Sequence, residues 1–160
     1  MSMSVNTLDF LLAVINRFES ARIHVWVFGG WAEELWQITP AREHKDIDLL
    51  YCGATFEQLD AFIAQNMGFQ EIQEKRFSHK RATIFQQVMI EFLLVQQDKA
   101  IHFTDFFSGR FRLEWPNDVF CQRVIIPGYN IRIASKQTLI AYRQNHKQVQ
   151  QACQDFLQLD

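Results

Sequence analysis

Apolar residues recur at three- and four-residue intervals through Leu8, Leu11, Leu12, Ile15 and Phe18, the spacing that lines one face of an α-helix. Asn6 or Thr7 stands where a cap is wanted, which predicts a helix over about 7–20. HVWVFGG then gathers its apolar residues into a run too short for a helix and reads as a buried strand ending in glycines. WAEELWQ is rich in helix formers and predicts a helix directly behind the glycines. TPAREHK is polar, contains Pro40 and reads as a loop. DIDLLY is the second strand. FEQLDAFIAQNMG sets Phe56, Leu59, Phe62 and Ile63 on one side of an amphipathic helix, with Gly68 placed to end it.

Beyond Gly68 the period changes. FQEIQEKRF and ATIFQQVMIEFLLVQQ, rich in Ile, Phe and Val, predict about three strands. From Asp98 to Asn117 the pattern reads as irregular, broken by Gly109 and Pro116. CQRVIIPGYNIRIAS predicts a hairpin turning at Pro127-Gly128. The remainder reads as one or two helices capped by Ser135. This order of elements predicts an α+β fold: a mixed β-sheet flanked by helices, with C-terminal helices. The length of 160 residues fits a single domain over 1–160, its core in about 5–95 and its remaining strands and C-terminal helices in 96–160.

Composition narrows the partners. Net charge is −2, and the Lys and Arg residues form no run, so general nucleic-acid binding is not expected. Cys52, Cys121 and Cys153 share no short spacing, which argues against a disulfide framework or a structural zinc site and fits a reducing cytoplasm. No apolar stretch is long enough to span a bilayer. Fifteen Phe and four Trp are many for this length and point first to an aromatic core.

The chemistry concentrates between Gly29 and Tyr51. Side chains alternate across a strand, so Asp46 and Asp48 share one face while Ile47 and Leu49 turn to the core. Two carboxylates held this way repel each other unless a cation lies between them, and hard oxygen ligands of this kind suit Mg²⁺ together with substrate phosphates. Gly29 and Gly30 lack Cβ atoms, so their N–H groups can approach phosphate oxygens closely, and a helix starting behind them adds a favourable field. Arg42, His44 and Lys45 could supply cationic contacts to the same triphosphate. Alone, a glycine pair marks a turn and DxD a solvated strand edge. Together, with fifteen residues between Gly30 and Asp46, they form a sharper pattern.

FGGWAEELWQITPAREHKDIDL resembles the signature of the DNA polymerase β-type nucleotidyltransferase superfamily, and is most similar to the small aminoglycoside and lincosamide nucleotidyltransferases. Gly29, Gly30, Trp31, Arg42, His44, Asp46, Ile47 and Asp48 fall on that pattern. The strong resemblance covers about residues 25–50. It implies a Mg²⁺-dependent enzyme that moves a nucleoside monophosphate, AMP from ATP foremost, to a hydroxyl of a small molecule such as an antibiotic. It also implies a third carboxylate on a neighbouring strand, for which Glu91 in VMIEFLLV is the candidate, serving as metal ligand and general base. Relatives generally carry Asp there, so Glu91 is a departure, as is Ile38 where several have Gly.

Other residues weigh less. Glu34 matches an acidic position in some relatives. Lys136 and Lys147 are candidate phosphate contacts, and Tyr142 and Arg143 lie on the same C-terminal stretch. His24, His79, His102 and His146 show no ligand spacing. Asp105, Glu114 and Asp118, set among aromatics, predict an acidic cleft that would attract a cationic acceptor. Two further readings stay open. One is a protein or RNA acceptor, as in antitoxin-like members, and the other is a non-catalytic nucleotide-binding module.

Overall fold

The structure, a computed structural model, describes residues 5–158; the first four and last two positions of the expected 1–160 domain lie outside it. The chain runs α1 (Leu8–Ser20), β1 (Val25–Phe28), α2 (Gly29–Leu35), β2 (Asp46–Cys52), α3 (Glu57–Gln65), β3 (Phe69–Glu71), a 3₁₀ turn (Gln73–Lys75), β4 (Lys80–Phe85), β5 (Val88–Asp98), β6 (Ile101–Phe106), β7 (Phe111–Glu114), β8 (Gln122–Ile126), β9 (Tyr129–Ile133), α4 (Lys136–Gln144) and α5 (His146–Leu157). The strands order as β3-β4-β5-β2-β1-β9-β8, with β6 and β7 continuing from the far end of β5. The β2–β5 and β1–β9 pairs are parallel and the rest antiparallel, the expected mixed sheet in an α+β fold.

One sheet face is closed by α1 and α3 through aromatic packing. Phe18 is fully buried, its ring 4.9 Å from Phe62 and 5.4 Å from both Phe69 and Phe92. Ile47, Leu49, Ile90 and Phe92 supply the sheet's side of this core. The abundance of phenylalanine is thus largely structural. The other face carries the acidic side chains and is overlaid by the C-terminal helices, where Tyr142 packs 5.1 Å from the Phe28 ring.

Several expected ends hold. Thr7 accepts from the Phe10 N–H, and Ser135 from the Thr138 N–H, each capping the helix that follows. Gly128, with φ of 86°, turns the β8–β9 hairpin. Three details differ. The second helix opens at Gly29 itself rather than at Trp31. The third ends at Gln65, where the Asn66 side chain donates to the Phe62 carbonyl; Gly68 is not its stop, and the site is small because the Phe85 ring would press to 3.2 Å of any Cβ there. The stretch after Asp98 is not irregular: it forms the β6–β7 hairpin. Positive φ at Lys99 makes one tight turn and positive φ at Phe107, Ser108 and Gly109 the next, positions that composition alone marks only at the glycine.

Candidate active site

Strand register brings the acids together. In the parallel β2–β5 pair Asp48 stands directly opposite Glu91, and in the antiparallel β1–β2 pair it stands opposite Phe28, the residue before the glycine turn. Asp46, two residues back, shares its face. The carboxylate of Asp48 lies on the backbone of Gly29, whose φ is +62°. A Cβ at Gly29 would come within 2.4 Å of Asp48 Oδ2, so this position demands glycine twice, for conformation and for space.

Gly30 serves the other side of the turn. A Cβ there would meet the Arg42 guanidinium at 2.6 Å and His44 Nδ1 at 3.2 Å, so the loop of residues 37–45 folds back over the glycines and brings Arg42 to them. What holds the loop is a network largely out of water. His44 is buried, stacked on Trp31 at 4.0 Å between ring centroids, and its Nε2 lies 2.8 Å from Glu34 Oε1. That same oxygen accepts from the Arg42 N–H at 3.0 Å. Asn6 donates to the carbonyls of His44 and Asp46 and accepts from the Trp31 indole. His44, Trp31 and Glu34 therefore shape the loop, while Arg42, at Gly30, and Lys45 remain exposed.

On the β5 side, Glu91 is half-buried and paired with Lys80 and, at 3.8 Å, with Lys75. Register explains the reach. Ala82 stands opposite Glu91 in the β4–β5 pair, and its small side chain leaves room for Lys80, two residues back on the same face, to extend diagonally. Among the described residues no three Asp, Glu, His or Cys side chains converge in metal-ligand geometry, Glu91 being turned towards these lysines. The chemistry of the donor set nonetheless fits a hard cation. Burial, then Asp46 and Glu91, push the Asp48 carboxyl up to about 7. A positive charge among these groups would reverse that shift.

A cavity of about 280 Å³ opens from Asp48 and Glu91 towards β4. Its walls include Phe28, Phe77, Phe106, Phe107 and Tyr142. Burial, then Asp48 and Glu91, push the Tyr142 phenol up to about 12. His79 also lines it; Nδ1 accepts from the Phe107 N–H at 3.1 Å, and burial, with Lys80 beside it, lowers the ring to about 4, so it is uncharged at neutral pH. From sequence, His79 stands out only as a histidine without ligand spacing, and Lys75 and Lys80 not at all, although Lys80 and Ala82 share one face of KRATIF.

The expected acidic cleft does not form. Asp105 pairs with Arg112 on the β6–β7 hairpin, Asp118 accepts from the Ser135 hydroxyl at the cap of α4, Glu114 is exposed, and none lines the cavity. Glu33 is buried and bound to Arg143, tying α2 to α4. Lys136 lies over the Trp36 ring at 5.3 Å, and Lys147 is exposed.

A mixed sheet with a glycine turn behind one strand and acids on the two adjoining strands defines a nucleotidyltransferase fold. The family model for aminoglycoside-2''-adenylyltransferase matches residues 10–156, and the chain belongs to that family, an adenylyltransferase-like enzyme of the nucleotidyltransferase superfamily. Solved structures agree in fold. The lincomycin-bound lincosamide antibiotic adenylyltransferase LnuA superposes with a TM-score of 0.69 at 15% identity, over 96% of this chain and 98% of that one. ANT(2'')-Ia in complex with adenylyl-2''-tobramycin gives 0.61 at 17%, over 93% and 90%. An antigenic nucleotidyltransferase-like protein from Paracoccidioides brasiliensis gives 0.52 at 14%, over 97% and 76%. No curated protein matches the chain in sequence.

Proposed function

We propose that this enzyme transfers AMP from ATP to a hydroxyl of a small acceptor, with Mg²⁺ held by Asp46, Asp48 and Glu91. The observation that supports the reading is the register of Asp48 against Glu91, with the Asp48 carboxylate lying on Gly29 and Asp46 sharing its strand face. Bound Mg²⁺ would offset the charge of the triphosphate and of the leaving pyrophosphate. Gly29 and Gly30 offer backbone N–H groups to the phosphates, and Arg42 and Lys45 offer cationic side chains. His44 acts through the loop, which it fixes from within.

Glu91 is the general base. It takes the proton of the acceptor hydroxyl as that oxygen attacks the α-phosphorus; the bond from the α-phosphorus to the bridging oxygen breaks, and pyrophosphate departs. Lys80 and Lys75 pair with Glu91 from the β4 side. Three cysteines, none of them paired, fit a reducing cytoplasm as the place of action.

The test is pyrophosphate release and acceptor mass gain with ATP and Mg²⁺ across aminoglycosides, lincosamides and simple hydroxyl compounds. Activity lost in Asp46→Asn and Asp48→Asn supports the assignment. Activity equal to the parent in both variants refutes it.

A further inference from the structure

Register alone would let Glu91 join the aspartates. Asp48 and Glu91 stand directly opposite each other on the parallel strands β2 and β5. Neighbouring strands run about 5 Å apart, so one ion can touch side chains from both. Yet among the described residues no cluster of metal-ligand geometry forms. The backbone is therefore not what keeps the third carboxylate away. The cause lies in where the Glu91 side chain is drawn.

Two ammonium groups draw it. Lys80 takes Oε2 and Lys75, at 3.8 Å, takes Oε1, so both oxygens are engaged from the β4 side. The two pairs are unequal. Lys80 is the nearer, and 27% of its side chain is open to solvent against 41% for Lys75, while Glu91 keeps only 15%. An ion pair this far out of water holds better than a surface pair, and removing one partner leaves the other charge uncompensated. Asp48, Glu91 and both lysines line the same cavity. A cation held at Asp48 and the two ammonium groups thus compete for the same carboxylate oxygens.

We infer that Lys80, assisted by Lys75, is a positioning residue that holds Glu91 off the aspartates in the ligand-free enzyme, and that the three carboxylates close on a cation only when this pairing is given up. This rests on the cation assignment proposed above. Breaking the pair opposes cation binding by a fixed amount. A displaced ammonium needs another anion, and the triphosphate supplies one, so cation affinity is tied to the presence of the nucleotide.

Mn²⁺ titration of the full chain without nucleotide, followed by electron paramagnetic resonance, tests this and needs no turnover. Lys80→Met should bind Mn²⁺ about tenfold more tightly than the parent, and Lys80→Arg as weakly as the parent. Lys75→Met, on a partly exposed turn where folding is little at risk, should gain in the same direction by less. The rise in Tm on adding Mn²⁺ should be larger in Lys80→Met than in the parent. Plain repulsion between an ammonium and a cation would act whatever stands at position 91. The Glu91→Gln background separates the two causes, because there Lys80→Met should gain little. Mn²⁺ bound no more tightly by Lys80→Met and Lys75→Met than by the parent overturns the inference. So does an equal gain with and without Glu91. A parallel titration with a non-hydrolysable ATP analogue keeps the two readings apart. Mn²⁺ bound there by the parent and lost in Asp48→Asn, with no gain from either lysine variant, leaves the cation site standing and removes only the role of Lys80. Mn²⁺ bound by no protein in either condition refutes both.

Discussion

The two flanks of Asp48 are built on opposite principles. On the glycine side a small set of side chains is tied together: Glu34 serves both His44 and the Arg42 N–H, and Asn6 serves His44, Asp46 and Trp31. On the β5 side the same carboxylate faces Glu91 and an aromatic-walled cavity, and burial leaves it reluctant to ionise. The first flank holds a loop to a fixed shape. The second keeps a destabilised charge beside an open cavity, a condition that a cation and a nucleotide can relieve. Rigidity and unmet electrostatic demand are thus separated by a single strand.

The comparison breaks most sharply at Asp48. Asp48→Asn should lower AMP transfer by about a thousandfold or more if Asp48 holds the cation, as proposed, where charge develops. In the ligand-free protein the same change should stabilise. With its pKa raised from 3.8 to about 7, the carboxyl is held protonated by the folded state, so its contribution is whole below about pH 4 and is lost as pH rises through 7. His79, lowered to about 4, has the opposite sense, because stability falls as pH drops below the ordinary histidine range of about 6.5. The difference in Tm between Asp48→Asn and parent therefore isolates Asp48. It should grow from pH 5 to pH 8 and shrink when Mg²⁺ and ATP are added; a difference flat with pH counts against the buried-charge account.

Gly29→Ala comes next. Positive φ and a Cβ at 2.4 Å from Asp48 Oδ2 should cost about 1–3 kcal/mol by chemical denaturation and about a hundredfold in kcat, because the carboxylate must move. Retained kcat would show that the carboxylate's seat on the turn is unimportant.

Glu34→Gln tests the ordered flank. It weakens the bond to His44 and the loop's tie to α2, and should cost about 1–2 kcal/mol. KM for ATP should rise several-fold with kcat little changed, as Arg42 loses its fixed place. A fall in kcat alone would move Glu34 into the chemistry. The smallest effect belongs to Asp105→Asn: an exposed pair with Arg112, outside the cavity, should change Tm by under about 2 °C and leave acceptor KM unmoved.

Periodicity made much of this visible. Helical spacing located α1, and alternation put Asp46 and Asp48 on one face, because both depend on neighbours in sequence. Glu91 stood out as an acid within an apolar run. Its position opposite Asp48 is a matter of register between strands about forty residues apart, which no local pattern encodes. For the same reason Lys80 was passed over: its meaning comes from Ala82 leaving space beside Glu91. His44 looked like a phosphate contact by residue type, while burial under Trp31 and Glu34 assigns its ring to the loop. The acids of 105–118 matched a cationic acceptor by composition, yet the hairpin turns Asp105 to Arg112 and Glu114 to solvent, and the turn beyond it takes Asp118 to the α4 cap.

The central claim is that the carboxylates of β2 gather a divalent cation around a bound nucleotide. Mn²⁺ binding followed by electron paramagnetic resonance, with and without a non-hydrolysable ATP analogue, tests it directly and needs no acceptor. The account predicts bound Mn²⁺ in the parent with the analogue, abolished in Asp46→Asn and Asp48→Asn and retained in Asp105→Asn. Mn²⁺ bound equally in all four proteins, or in none, would contradict it.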